Sequence, residues 1–215
     1  MRLRRLPLLH LAGERLRDAH KALDAAMAAR VATVERERGE TSPCRTGCAH
    51  CCRQPVFVGS LELVPIVQAL RDLPRVTRQQ VLERLRSWFD AMARLSTFPT
   101  GAPGSGKPYL RAGITCPLLS PDETCLVYEV RPIACRTHQV IGSDPAECGN
   151  PDAMLWFVQA QDIAYRAFDE CGGWGEGEVG LLPDLLYSCW PWPAEPGPRA
   201  LSDAHALLPE DEASS

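Results

Sequence analysis

The chain has 215 residues, 45% of them hydrophobic, and a net charge of -4. That length suits one domain of ordinary size with a sizeable core. The charge is mild and evenly mixed, which argues against a nucleic-acid partner, and no apolar run is long enough to cross a bilayer. The opening residues Met1 to His10 have a basic start and a short apolar stretch, but Pro7 and His10 interrupt it and no small-residue cleavage site follows. They read as the lead-in to a helix rather than an export signal, which points to a cytoplasmic protein.

Residues 14–38 predict the first helix, with Leu16, Leu23, Met27, Val31 and Val34 on one stripe and Gly39 as its stop. A second helix falls within 60–73, with Ile66, Val67, Leu70 and Leu73 facing inward. It starts either at Ser60 as N-cap or at Pro65 as first residue. Thr77 and Gln80 form a capping box for a third helix, whose stripe is Val81, Leu85, Trp88, Phe89 and Met92. These Met and aromatic stripes read as core packing. A Gly/Pro/Ser-rich loop covers 97–108, a helix capped by Asn150 follows with Pro151 at its first position, and a short helix lies near 181–189. Residues 191–215, rich in Pro, Ala and acid, read as a disordered tail. The expected organisation is an N-terminal helical segment over 1–39, a cysteine-cluster domain over 40–190 and the tail. The expected fold class is mainly α, with irregular or hairpin segments carrying two cysteine motifs.

Ten cysteines are the informative feature. In a reducing compartment lasting disulfides are rare, and clustered thiols point to metal. The first motif holds Cys44, Cys48, Cys51 and Cys52 within nine residues. In a helix these positions share a face; in a loop, a turn at Gly47 lets the thiols converge. Adjacent Cys51 and Cys52 diverge, so they serve different metals or only one ligates. The second motif holds Cys116, Cys125, Cys135 and Cys148. Asp122 and Glu123 mark a hairpin turn, and Pro132 keeps Arg131 extended. Arg131 and Arg136 near thiolates lower their pKa, or else form ordinary ion pairs. Thiolates suit zinc or iron, including a [4Fe-4S] cluster, and ligand type does not separate them.

Gly47-Cys48-x-x-Cys51-Cys52, Cys116-Pro-Leu-Leu and Cys125-Leu-Val-Tyr128-Glu-Val-Arg131-Pro132-Ile-Ala-Cys135-Arg136 together resemble the bacterial YkgJ-type, CxxCxxCC family of zinc- or iron-chelating domains. The resemblance covers about 44–148, and the first gap is three residues here against two in the family's nickname. It also implies kinship with flagellin lysine N-methylases, which are associated with an iron–sulfur centre. The eight cysteines make two four-thiolate sites, one four-iron cluster plus one zinc, or one site with spare thiols. Cys171 and Cys189 fall outside the resemblance and read as core.

Two decoys weigh less. Cys44, Cys48 and Cys51 match radical S-adenosylmethionine spacing, but a long helix precedes them instead of the first strand of a parallel barrel. Gly101 to Pro108 nearly spells a phosphate-binding loop, but Pro108 lacks the required hydroxyl and no apolar strand leads in. Among the histidines, His50 and His138 stand beside cysteines and are candidate ligands; His10, His20 and His205 have no ligand partner at helical spacing. No catalytic residue is legible. Three functions fit: a metal-binding protein with a structural metal and an unidentified protein partner, an iron–sulfur enzyme, or a thiol redox or metal-handling protein.

Overall fold

The structure, a computed structural model, describes residues 6–101, 104–142, 144, 145, 148 and 179–189, with side chains from residue 16 onward. The Asn150 helix, the 191–215 tail, Cys171 and His205 lie outside the described residues. Helix α1 runs Leu6–Arg38. It begins earlier than the hydrophobic stripe alone requires, because Pro7 sits in the first turn, where its missing N–H has no partner to lose. It ends where expected: Gly39 has φ +69° and returns its N–H to the Glu35 carbonyl at 2.8 Å. Leu23, Met27 and Val34 pack on Ile133 and Ile141 from the second cysteine motif, so α1 shares a core with the cysteine-bearing part.

After the first cysteine motif come strand β1, Phe57–Gly59, and a single 3-10 turn, Ser60–Glu62, that feeds helix α2, Leu63–Asp72. The expected starts at Ser60 and Pro65 are both corrected. The 3-10 turn absorbs the chain reversal, and Pro65 falls within the first turn of α2, where its lost donor is again harmless. Ile66 and Leu70 are fully buried, as their spacing predicts. Helix α3 is Arg75–Met92, with Pro74 before it and no side-chain cap. The Thr77–Gln80 box is therefore not used: Pro74 has its φ set for a helix entry and its carbonyl already accepts Arg78 N–H, which places Thr77 inside the first turn. All five residues of the expected α3 stripe are buried.

Helix α4, Lys107–Arg111, follows the Gly-rich loop. That loop is entered by irregular chain, and Pro108 sits inside α4, so the strand–loop–helix context of a phosphate-binding loop is not formed. The second motif contains a tight hairpin, a 3-10 turn at Tyr128–Val130 and helix α5, Ile133–Thr137. Strand β2, Val179–Leu181, pairs antiparallel with β1 in the register Phe57↔Leu181, Val58↔Gly180, Gly59↔Val179. Helix α6, Leu182–Cys189, closes the described chain where the sequence places it. The fold is mainly α, with one two-stranded sheet among the described residues. Cys189, expected in the core, is exposed at the end of α6. One core joins β1, α2, α3 and α6 around Leu85 and Leu186. A second gathers Trp88, Phe89, Met92 and Tyr109, where the Trp88 indole N–H donates to the Tyr109 hydroxyl at 3.0 Å.

Two buried polar groups tie the elements together or strain them. Glu62, 3% exposed, accepts Gly59 N–H at 3.1 Å with one carboxylate oxygen and Ile133 N–H at 2.7 Å with the other. It thereby caps the start of α5 from the turn before α2. Replacing it, Glu62→Ala, leaves two backbone donors buried without partners and should lower unfolding free energy by about 2–3 kcal/mol in urea titrations. His20, 2% exposed on α1, has no hydrogen-bond partner for either ring nitrogen among the described residues. Burial, then Arg136, lower its pKa to about 4, Arg131 adding to this and Asp24 opposing it. The unfolded chain therefore takes up this proton first as pH falls, and His20's contribution to stability is whole above about 6.5 and is lost towards 4. Denaturant midpoints should fall across that window in the wild type, and a His20→Leu variant should show a shallower fall.

Candidate metal centre

The first motif is a loop rather than a helix. Gly47 takes φ +86°, a backbone that side chains rarely adopt, and the chain then winds into a 3-10 turn over His50–Arg53. Backbone bonds from Cys48 N–H to Arg45 O, Cys52 N–H to Ala49 O and Gln54 N–H to Cys51 O, each 3.0 Å, hold successive tight turns. Of the two readings the sequence allows, the Gly47 turn is the one formed.

In the second motif, Leu119 and Cys125 form an antiparallel bridge around a hairpin whose tip residue Glu123 has φ 58°. Asp122 and Glu123 thus sit at the turn as expected. Cys116 stands before this hairpin and Cys125 on its returning arm. Arg131 is extended before Pro132, as the proline dictates, and α5 then presents Cys135. The motifs are joined directly by Cys116 N–H donating to Cys52 O at 2.8 Å. Thr46 also donates its hydroxyl to Tyr128 Oη at 3.2 Å.

All eight predicted cysteines line two adjoining cavities. The larger, about 160 Å³, has Cys48, Cys51, Cys52, Cys116, Cys125 and Cys135 in its wall. The smaller, about 80 Å³, has Cys44, Cys48, Cys51, Cys135 and Cys148, and His138 faces both. A single water needs only roughly 10–15 Å³ of such space, so the larger cavity exceeds a lone ion. His50 lines neither cavity.

Burial dominates the electrostatics of the thiols. It pushes Cys116 and Cys148 up to about 12 and raises Cys44, Cys125 and Cys135. Cys51 is the exception: the neighbouring Cys52 thiol, with Arg131, holds it down to about 7 against burial, while Cys52 is raised in return. The wall is thus largely neutral by itself. A bound cation supplies the charge that ionises such thiols.

The two arginines separate. Arg131 stands in the wall of both cavities, lies 4.0 Å from the centre of the Tyr128 ring and pairs with Asp24 at 3.8 Å. It favours the charged forms of Cys51, Cys125 and Cys135, as expected. Arg136 does not line either cavity; it is 3% exposed and spends its donors on Asp24, the Glu129 carbonyl and the Arg131 carbonyl. Of the two roles open to it in the sequence, it takes the ion pair, because α5 turns its side chain towards α1.

Gln54 is a site residue that the sequence does not announce. Its amide nitrogen lies 2.6 Å from Cys148 O and 3.1 Å from His138 Nε2, linking both motifs. A lone Gln after a cysteine run carries no spacing signal.

The donor chemistry fits zinc or iron: soft thiolate sources from two motifs, most of them partly buried, with one imidazole beside them. Among the described residues, no three Cys, His, Asp or Glu side chains are yet drawn in around one point, so the sulfurs line walls instead of closing a ligand set.

No curated protein and no solved structure matches the chain. Residues 43–159, just over half of its length, match the family described as "CxxCxxCC: Putative zinc- or iron-chelating domain". The match begins one residue before Cys44 and runs past Cys148, spanning every cysteine that the two cavities share between them. The chain belongs to the CxxCxxCC family.

Proposed function

We propose that this protein binds its metal in the larger cavity, through cysteines of both motifs, and that the metal's first role is to hold the two motifs together. The observation that carries this reading is the meeting of Cys51 and Cys52 with Cys116, Cys125 and Cys135 in one wall, across the Cys52–Cys116 backbone bond. Zinc or an iron centre supplies positive charge there. The chain's own contribution is the placement of the thiols, the exclusion of water by Leu118 and Val127, and the second positive charge from Arg131. No helix among the described residues is long and apolar enough to cross a membrane, so the reading needs no membrane role.

A second reading is an iron–sulfur enzyme akin to flagellin lysine N-methylases, with a [4Fe-4S] cluster. The size of the larger cavity and the presence of Tyr128 and Arg131 in its wall favour it. Protein purified without oxygen decides between the two. Stoichiometric zinc in a colourless sample supports the structural metal. Brown protein with iron and acid-labile sulfide, together with S-adenosylmethionine binding, supports the enzyme.

A structural zinc site contributes on the order of 10 kcal/mol to folding, as much as the whole stability of many domains. Exhaustive chelation should therefore lower the thermal midpoint sharply and open residues 44–58 and 116–141 to hydrogen exchange. Demetallated protein with an unchanged midpoint and unchanged exchange would contradict the proposal.

A further inference from the structure

One carboxylate stands among the thiols. Of the described residues that line either cavity, Glu123 is the only acidic one, and it belongs to the larger cavity. Its side chain is 66% exposed, so it reaches from the wall into solvent and marks the mouth. There its carboxylate lies 3.9 Å from the guanidinium of Arg53, which is 44% exposed and follows Cys52 directly. The pair joins the second motif to the first at that mouth.

The backbone holds Glu123 where glycine is the usual choice. Ser120 N–H donates to Thr124 O at 2.8 Å and Glu123 N–H to Ser120 O at 3.1 Å, which closes a loop over Pro121, Asp122 and Glu123. In such a loop the last residue is left-handed, a backbone that glycine takes without steric cost. Glu123 takes it at φ 58°, and among the described residues it is the only one besides glycines with a positive φ. A strained backbone that persists at a site points to a role for its side chain. The charges indicate which role. The wall of the larger cavity carries one permanent positive charge, Arg131, and one carboxylate, Glu123. A cation entering from solvent is repelled by the first and attracted by the second.

We propose that Glu123 is the entry residue of the larger cavity: its carboxylate draws a divalent cation to the mouth, and Arg53 competes for the same carboxylate and so restrains passage. Glu123 is not a ligand of the seated metal. The inference rests on the metal-binding reading above and adds the route by which metal comes and goes. An exposed ion pair is weak and opens readily, as a gate must. A charge at a cavity mouth acts on the rate of passage. Because Glu123 stabilises the passage and not the seated metal, it speeds entry and release by the same factor. Affinity then stays where the thiols set it.

The test is zinc exchange on the zinc-loaded full chain, kept anaerobic, with isotopically labelled zinc ion added and the bound isotope read by mass spectrometry. Glu123→Gln should exchange about tenfold more slowly than wild type, with its affinity in chelator competition unchanged. Arg53→Gln should exchange faster. Raising the salt concentration should shrink both differences. Glu123→Gly separates charge from structure: it relieves the backbone, so its thermal midpoint should rise, and yet it should exchange as slowly as Glu123→Gln. A Glu123→Gln protein that exchanges at the wild-type rate overturns the proposal and leaves metal binding standing. So does one that releases zinc faster and binds it more weakly, which is the behaviour of a lost ligand or a loosened fold. Wild type that holds no metal at all overturns both readings.

Discussion

The Glu62 carboxylate holds the end of β1 with one oxygen and the start of α5 with the other. Those two points are more than seventy residues apart in sequence, and each borders a cysteine motif. The carboxylate is buried and must be satisfied, because an unpaired ion there would carry a large desolvation cost. Burial raises its pKa, and the two backbone donors and Arg136 oppose that. Cys135 follows Ile133 by two residues, so the position of its thiol is set by where Glu62 anchors the helix. The Cys52–Cys116 backbone bond fixes the other side of the site. Between them, these contacts frame the cavity on two sides.

A second tether runs through Asp24. It pairs with Arg136, which is buried, and with Arg131, which faces the thiols. The long first helix thereby reaches the chemistry without lining it. Arg131 is stacked over Tyr128, and Tyr128 accepts a hydrogen bond from Thr46 in the first motif. Charge, aromatic face and hydroxyl form one chain of contacts from α1 to the loop that carries Cys44 and Cys48. His20 lies beside the same charges, buried and with no hydrogen-bond partner among the described residues.

The long helices were legible because amphipathic spacing over many residues leaves little choice: the stripes of α1 and α3 are buried almost as written. Gly39 and the hairpin at Asp122–Glu123 were legible through turn chemistry. The three-residue strands were not, since so short a segment has no period to read, and β1 and β2 find each other only through tertiary packing. The same limit explains Thr77, where a good local cap lost to a helix that Pro74 had already started. At the site, residue type and clustering pointed to all eight cysteines around the cavities. Arg136, Cys189 and Gln54 needed the folded chain: an arginine's partner, a thiol's exposure and a glutamine's two neighbours follow from which way a helix turns, and no spacing rule encodes that.

The backbone bond between Cys52 and Cys116 also constrains the order of events as the chain is made. The first motif, four thiols in nine residues, leaves the ribosome well before the second. Helices α2 and α3 lie between them. Closing so long a loop is slow compared with forming the local turns at Gly47 and His50–Arg53. For that interval the nascent chain offers a compact, exposed cluster of thiols to any soft metal or oxidant nearby.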